Sequence, residues 1–449
     1  HMGRGVKNKK ICLSCIRSDD FVSYKDGKIW TEAFCRALRE YAEIYISAGK
    51  YYIDRSLTVP SDTRIVADEH AEIILIKGTK TLLLRNENVI DGSERKIPAD
   101  APCDENISIC GGVWGEENEE RLGYGVSGCF DESDSYHGVS TCFLFSGVRG
   151  LTLKNLVFRS VAGFACQIGR VSDFKIENIR FENCFADGLH VNGGVKNGTV
   201  KNLSGHTEDD LIALNAYDWD NSSINFGAIE NLTIDGVQSE GGANTHKSFR
   251  IQPGVYPYKN GEKEDCRIKN LTVKNVTGVT TFKMYLQTPA YINSPEKEIG
   301  VGRIENVTFE NIVADTTSPV DKQANYLNGD LVAGNFATFE VGSNVKNIRF
   351  INVNVRLDKS AYPNSYFMTV GPKSQYIAEK HLELFDPYVN CTVEQIEYRN
   401  ICINDCLVRD LQPFIKEVEF NALYPSALPF GKGKLVAMHE IQKDSTAEK

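Results

Sequence analysis

Three aspartates on two short segments have the residue types and the spacing for acid–base chemistry. Asp187 stands in Ala-Asp-Gly-Leu-His-Val, and Asp209 and Asp210 stand in Glu-Asp-Asp-Leu-Ile-Ala. Carboxylates that are crowded together repel each other, which raises the pKa of at least one. A general acid beside a base or a nucleophile needs such a difference in pKa. The alternative is a role in turns, because Asp-Gly and Asp-Asp favour bends.

A repeated strand motif determines where these aspartates lie. The motif reads apolar, polar, Asn, apolar, polar, apolar, and this alternation is typical of a strand. Its Asn recurs at Asn155, Asn178, Asn202, Asn231, Asn270, Asn306 and Asn347. The first intervals, of about 23 residues, predict one coil of a parallel β-helix per repeat. Asp187 and Asp210 are one such interval apart, so we expect them on adjacent coils, about 5 Å apart.

We predict an all-β chain that forms a parallel β-helix of roughly ten or more coils with an N-terminal capping helix. The whole of 1–449 is expected to be a single domain. Its cap region is 1–50, with a helix over 31–43 that begins at Thr31 as N-cap. The coils and their loop insertions cover 51–406, and a C-terminal cap or tail covers 407–449. The stacked Asn residues are expected to hydrogen-bond from coil to coil.

The second strands of successive coils predict a polar ridge. We align them by placing Ile168, Val191, Leu214, Ile251 and Leu286 inward. Their neighbours then form two outward columns. The first column is Gln167, His190, Ala213, Arg250 and Tyr285; the second is Gly169, Asn192, Asn215, Gln252 and Gln287. A solvated face of this composition suits sugar hydroxyls, although an ordinary polar face is the alternative.

Insertions between coils carry aromatic residues beside this ridge. These residues are Tyr217, Trp219, Tyr256, Tyr258, Tyr291 and Tyr326. Aromatic faces stack on sugar rings, so such walls favour an enzyme that acts on the end of a chain. The alternative is that the loops pack on each other.

Together these residues resemble glycoside hydrolase family 28, the polygalacturonases and related pectin hydrolases, with divergent motifs. Phe185-Ala-Asp-Gly matches the last two positions of the family's Asn-Thr-Asp-Gly. Glu208-Asp-Asp-Leu-Ile-Ala matches Gly-Asp-Asp-x-Ile-Ala apart from its Glu. The family's Gly-His-Gly is absent, and Thr245-His246-Lys247 stands in its place. Phe249-Arg-Ile-Gln has Gln where Arg-Ile-Lys has Lys.

The resemblance implies a right-handed, pectinase-like β-helix and an inverting, exo-acting glycosidase that cleaves a pectin-like or other plant or host oligosaccharide. Asp210 would be the general acid, and Asp187 and Asp209 would activate water. The departures from the family motifs leave the sugar and the linkage open. The expected substrate-binding residues are His190, Asn192, Asn215, His246, Lys247, Arg250, Gln252, Lys283, Tyr285, Gln287 and Trp219.

Two other functions stay open. A polysaccharide lyase, uronate epimerase or sugar transferase on the same fold would use Lys283, Arg250 or His190 in place of the acids. A non-catalytic carbohydrate-binding β-helix would keep the aromatic walls and lose the acids. The Glu208–Asp210 run argues against the second, because crowded acids are costly when nothing uses them.

The composition of the chain limits the classes of partner and the cellular compartment that we expect. The 449 residues carry a net charge of −10 without a basic stripe, and no apolar run reaches 18 residues, so we expect neither nucleic acid nor a membrane as a partner. The 13 cysteines favour a reducing cytoplasm and buried thiols. A secreted or periplasmic protein stays possible, because His1-Met2 resembles an expression remnant that could replace a signal peptide. We predict no cofactor and no metal, and the sequence leaves the oligomeric state open.

Overall fold

The chain forms two compact units in the computed structural model. The structure describes residues 9–17, 21–119, 136, 139, 141–219, 222–241, 247–286, 300–318, 336–371, 389–417 and 431–442. The first unit comprises residues 1–213, 219–226 and 240–242, and the second comprises 214–218, 227–239 and 243–449. Among the described residues, no helix is long and apolar enough to cross a membrane.

The first unit consists of stacked parallel strands. They are Lys10–Cys12, Glu43–Ile46, Gly49–Ile53, Leu57–Val59, Thr63–Ala67, Ala71–Leu75, Leu84–Asn86, Asp104–Cys110, Val113–Glu116, Thr141–Arg159, Phe164–Cys184, Leu189–Val191 and Val195–Thr207. A small antiparallel hairpin pairs Ser23–Tyr24 with Gly27–Lys28. Val148 pairs in register with Val171, and Ile168 pairs with Val191. Each coil therefore places its apolar residues beside those of the next coil.

One α-helix, Thr31–Glu40, is described in this unit, with a 3-10 turn at Leu13–Cys15. The helix buries Phe34 and Leu38, which are four residues apart and therefore lie on one face. It ends earlier than the predicted 31–43, because the chain turns extended at Tyr41 and enters the strand Glu43–Ile46. Thr31 is the first helical residue and not the N-cap. Its hydroxyl accepts a hydrogen bond from the Asp54 amide, at 3.0 Å.

Stacked asparagines join the coils of the first unit, as predicted. Asn178 donates to Asn155 at 3.0 Å, and Asn202 donates to Asn178 at 3.0 Å. All three have φ near +55°, a left-handed conformation that Asn tolerates better than most residues. Asn is thus selected both for its amide, which is donor and acceptor, and for the bend at which it stands.

The second unit repeats this construction, apart from an antiparallel pair formed by Gly254–Pro257 and Lys263–Cys266 and from Cys406–Val408, which runs antiparallel to Val389–Ile403. Its strands are Ile229–Ser239, Ser248–Gln252, Gly254–Pro257, Lys263–Cys266, Ile268–Val279, Thr281–Met284, Arg303–Thr316, Phe336–Val341, Asn344–Val345, Ile348–Leu357, Ser365–Val370, Val389–Ile403, Cys406–Val408, Ile415–Glu417 and Gly431–Glu440. The strand Ile212–Asn215 contains the boundary between the units, and a 3-10 turn lies at Gln412–Phe414. Asn270 donates to Asn231 at 2.9 Å and Asn306 donates to Asn270 at 3.2 Å.

A second asparagine ladder runs through this unit five residues further along each strand. Asn311 donates to Asn275, Asn352 to Asn311 and Asn400 to Asn352, at 2.9–3.1 Å. The amide groups of these asparagines are engaged within the ladders.

The predicted fold class, a right-handed parallel β-helix with an N-terminal helix, is confirmed. Within 407–449, Gly431–Glu440 pairs in parallel with Val389–Ile403, so part of the segment predicted as a tail continues the ladder. The twelve cysteines of the described residues are free thiols. Burial holds for Cys142, Cys166, Cys184, Cys266 and Cys391, but Cys15, Cys103 and Cys406 are exposed.

Candidate active site

The three aspartates meet in the first unit, at the turn between two strands of adjacent coils. Asp187 lies between Phe164–Cys184 and Leu189–Val191, and its carbonyl oxygen accepts from the Ala165 amide at 2.9 Å. On the next coil, the Asp210 carbonyl oxygen accepts from the Gly188 amide at 3.0 Å. The backbone ladder thus places Asp187 and Asp210 one coil apart, as their spacing predicts.

Hydrogen bonds that involve side chains hold the three aspartates together. The Asp210 amide donates to Asp187 Oδ1 at 3.1 Å and to Asp209 Oδ1 at 3.0 Å. The Thr207 hydroxyl donates to the Asp209 carbonyl oxygen at 2.7 Å and fixes the bend before it. One carboxylate oxygen from each aspartate lies within 4.8 Å of the other two. Asp187 and Asp210 are buried, and Asp209 is half-buried and faces solvent in part.

Burial and, to a smaller extent, the negative charge of Asp209 raise the pKa of Asp187 to about 7. His190 acts in the opposite direction, because its Nδ1 lies 2.6 Å from Asp187 Oδ2. With this pKa, a substantial fraction of Asp187 is protonated near neutral pH. The cluster thus combines a protonated acid with neighbouring carboxylates.

His190 is fixed by a stacked ring on one face and by contacts at both ring nitrogens. Phe164 stacks on the imidazole with ring centroids 3.8 Å apart and planes inclined by 8°. Nε2 lies 3.0 Å from the Ser222 carbonyl oxygen, an acceptor, so this nitrogen carries a hydrogen. The hydrogen bond at Nδ1 is then made either by a protonated Asp187 or by an imidazolium. In both cases the pair Asp187–His190 holds one proton between its two partners.

The ridge of the first unit is buried, whereas the sequence predicted a solvated face. Gln167, His190 and Asn192 are each at most 1% exposed. Gln167 donates to Asn192 Oδ1 at 2.8 Å, Asn192 donates to the Ser222 carbonyl oxygen at 3.2 Å, and the Ile224 amide donates to Asn192 Oδ1 at 3.1 Å. A chain segment covers these side chains, and they satisfy its backbone. Composition could not reveal that cover, because polar side chains suit backbone amides as well as sugar hydroxyls.

In the second unit, the polar columns have a different register from the predicted one. Arg250 pairs with Lys283, and not with Tyr285 as our alignment had it. The alignment was wrong by two residues. A shift of two residues keeps the same alternate residues facing inward, so the alternation of apolar residues could not reveal it. Lys283 pairs in turn with Glu340 on the next strand, and both are buried, at 1% and 4% exposure.

The other candidate binding residues of the second unit make internal contacts. Asn215 donates to Asp218 Oδ2 at 2.9 Å, and Gln252 donates to the Tyr217 carbonyl oxygen at 2.6 Å. Tyr285 is buried and Lys247 is half-buried. Arg250 donates to Gln252 Oε1 at 3.3 Å. Trp219, in the first unit, is half-buried, while His246 and Gln287 lie outside the described residues.

The aromatic residues of the loops pack on each other where they are described. Tyr217 contacts Tyr256 edge-on at 5.3 Å, and Tyr256 contacts Tyr258 edge-on at 5.0 Å. Tyr217 is 1% exposed, so its faces are unavailable to a sugar ring. Tyr291 and Tyr326 lie outside the described residues.

Sequence reasoning missed Phe185 as a candidate contact for substrate. It stands two residues before Asp187 and is 53% exposed, which is unusual for so large an apolar side chain. The signal available was its position, since an aromatic residue directly precedes Ala-Asp-Gly on the segment that carries the acid.

The three carboxylates also form a donor set for a cation. Hard divalent ions such as Ca²⁺ and Mg²⁺ prefer carboxylate oxygens, so Asp187, Asp209 and Asp210 could contribute one ligand each. A proton held between Asp187 and His190 competes with such an ion. The donor set therefore fits a cation less well than three ionised carboxylates would.

Comparison with known proteins gives similarity of fold. No family model matches the chain, and no curated protein matches it. A family 28 exopolygalacturonase of Yersinia enterocolitica is similar at 10% identity and a TM-score of 0.44, over 97% of this chain and 78% of that one. The A-module of a mannuronan C-5 epimerase from Azotobacter vinelandii is similar at 9% identity and a TM-score of 0.45, over 96% and 100%. A surface adhesin of Streptococcus pneumoniae is similar at 12% identity and a TM-score of 0.37, over 98% and 96%.

Proposed function

We propose that this chain is a glycoside hydrolase whose acid–base centre is formed by Asp187, Asp209 and Asp210. The observation that carries the proposal is the cluster itself, with one oxygen from each carboxylate within 4.8 Å of the others. Keeping three carboxylates so close is unfavourable unless a proton or a reaction uses them. The raised pKa of Asp187 supplies the proton donor that glycoside cleavage needs.

In the proposed reaction, the glycosidic C–O bond breaks as a proton passes from the enzyme to the leaving oxygen. A water oxygen then bonds to the anomeric carbon, and a water proton passes to a carboxylate. The family resemblance gives proton delivery to Asp210. The burial of Asp187, which raises its pKa, favours Asp187 as proton donor. Asp209, which is partly open to solvent, is then the carboxylate best placed to act on water.

The spacing of the carboxyls bears on the stereochemistry. Inverting glycosidases separate their two carboxyls by about 6.5–9.5 Å to admit water between them, and retaining enzymes by about 5–5.5 Å. The oxygens here lie within 4.8 Å of each other, nearer to the second range. The spacing therefore favours retention over the inversion that the resemblance implies. In a retaining reaction a carboxylate first bonds to the anomeric carbon as the leaving group departs, and water then breaks that bond. Proton NMR of the first-formed anomer distinguishes the two outcomes.

The lyase alternative has less support from the residues that would carry it. A β-elimination needs a base that reaches a substrate proton, and His190 is stacked under Phe164 with both ring nitrogens engaged. Lys283 is 1% exposed. The proposal covers oligosaccharides with and without uronate residues.

Release of reducing sugar from neutral and uronate-containing oligosaccharides tests the proposal. We expect release by the wild-type chain and a loss of at least a hundredfold in Asp210→Asn. Asp173→Asn is the matched control, because Asp173 is an exposed aspartate of the first unit, outside the cluster. A single sugar as first product would support action at chain ends, and mixed oligomers would indicate internal cleavage.

Two results would contradict the proposal. Undiminished release by Asp210→Asn would remove the cluster from the reaction. A product that absorbs in the ultraviolet, formed from uronates and suppressed by a chelator, would indicate a lyase.

A further inference from the structure

A cavity in the first unit stands apart from the three aspartates. Its volume is about 470 Å³, which is within the range of small-molecule sites. Tyr52, Ile74 and Val113 provide apolar wall, on neighbouring strands of the ladder. None of Asp187, Asp209 and Asp210 lines it.

The cations that line the cavity are already paired with carboxylates. Lys25 donates to Glu117, and Lys50 donates to Asp26. Arg159 Nε donates to Glu182 Oε2 at 2.7 Å, and Arg159 Nη1 lies 3.9 Å from Glu72 Oε2. An anionic ligand would have to break one of these pairs to obtain a cation.

When the remaining acid, Glu116, is protonated, the charged side chains that line the cavity sum to no net charge. The Ala162 amide donates to Glu116 Oε1 at 2.7 Å, and burial raises the pKa of this carboxyl to about 7. With Glu116 protonated, Lys25, Lys50 and Arg159 balance the three remaining carboxylates that line the cavity, Asp26, Glu72 and Glu117. The cavity then presents fixed donors and acceptors, without net charge, beside an apolar wall.

We propose that this cavity binds a neutral saccharide at a second site, distinct from the three-aspartate cluster. Hydroxyl groups both donate and accept, so a sugar can hydrogen-bond the paired cations and carboxylates without separating them. The apolar face of a sugar ring suits the wall formed by Tyr52, Ile74 and Val113. The site goes beyond the proposed hydrolysis, since it needs no bond to be cleaved.

Calorimetric titration of the full chain tests the site, with cellobiose, lactose and xylobiose as neutral probes and digalacturonate as the anionic probe. We expect at least one neutral disaccharide to bind. Arg159→Gln should weaken that binding about tenfold or more, because it removes charged donors from the cavity. Arg149→Gln is the matched control: Arg149 lies on the same strand, pairs with Glu105 and does not line the cavity.

Asp210→Asn separates this site from the acid cluster. Binding that persists in Asp210→Asn and fails in Arg159→Gln supports the cavity, whether or not the chain hydrolyses any sugar. Binding that fails in Asp210→Asn and persists in Arg159→Gln overturns the proposal, because the sugar would then lie at the cluster. The proposal is equally overturned if no neutral probe binds, or if digalacturonate binds more tightly than every neutral probe. Thermal unfolding of both variants checks that each remains folded.

Discussion

Replacing Asp187 by Asn is expected to stabilise the protein above neutral pH while removing its activity. The amide can reproduce both hydrogen bonds of a protonated Asp187: its oxygen accepts from the Asp210 amide, and its nitrogen donates to His190 Nδ1. It differs from the native carboxyl in that it cannot ionise. The substitution therefore isolates the free energy that ionisation of Asp187 costs the folded chain.

The magnitude follows from the pKa of Asp187, which is raised from 3.8 to about 7 in the folded state. A difference of about 3 pKa units, at about 1.4 kcal/mol per unit, corresponds to a free energy on the order of 4 kcal/mol. Because the folded-state pKa is the higher one, this contribution to stability is complete below about pH 4. It is lost as the pH rises through 7. Relative to wild type, the free energy of unfolding of Asp187→Asn should thus increase steadily from pH 4 to pH 7 and level off above.

Urea unfolding followed by tryptophan fluorescence, at one-unit steps from pH 4 to pH 8, measures this difference. Asp173→Asn controls for the loss of one negative charge at an exposed position of the same unit. A difference between Asp187→Asn and wild type that stays constant over this pH range would refute the reasoning. So would a variant less stable than wild type at pH 8, because either result would mean that Asp187 is ionised and well paired with His190.

Four further predictions follow from the same contacts. Turnover should decline as the pH rises through about 7, because the acid form of Asp187 is then lost, and a pH–rate profile that stays flat to pH 9 would contradict this. Phe185→Ala should raise KM about fivefold with little change in kcat, because an exposed aromatic face beside the acid would stack on sugar. Unchanged kinetics would show that Phe185 does not contact substrate. Gly188→Ala should destabilise the chain by about 1–3 kcal/mol and reduce turnover, since the added methyl group would lie 2.5 Å from the Leu211 carbonyl oxygen. A midpoint of unfolding equal to that of wild type would contradict this. Asn178→Ala should lower the free energy of unfolding by about 1–3 kcal/mol, because Asn178 donates to Asn155, accepts from Asn202 and has φ of +55°. Asn178→Gly should lower it less, because glycine tolerates that φ. The reverse order of the two variants would contradict the explanation.

The fold could be predicted because its determinants are local and repeated. Alternation of apolar residues fixes the strands, and the regular interval fixes which residues stack. Asn155, Asn178 and Asn202 bond as their spacing predicts. The same interval places Asp187 beside Asp210, so the cluster could be located before the structure was known.

Features that depend on segments far apart in the chain could not be predicted. The segment around Ser222 covers the ridge and takes up the hydrogen bonds of Gln167, His190 and Asn192. The register between Arg250 and Lys283 depends on loop lengths that a repeat motif does not determine. His190 is only three residues from Asp187, but the burial that makes them an acid–base pair depends on the distant segment around Ser222.

The most direct test of the central claim is a comparison of Asp187→Asn, Asp209→Asn, Asp210→Asn and the triple variant on a substrate that the wild-type chain cleaves. Groups that act as one centre are non-additive, so each single variant should lose most of the activity that the triple variant loses. We predict a fall of at least a hundredfold in each single variant, with little further loss in the triple variant. Cleavage by the folded triple variant at the wild-type rate would contradict the account.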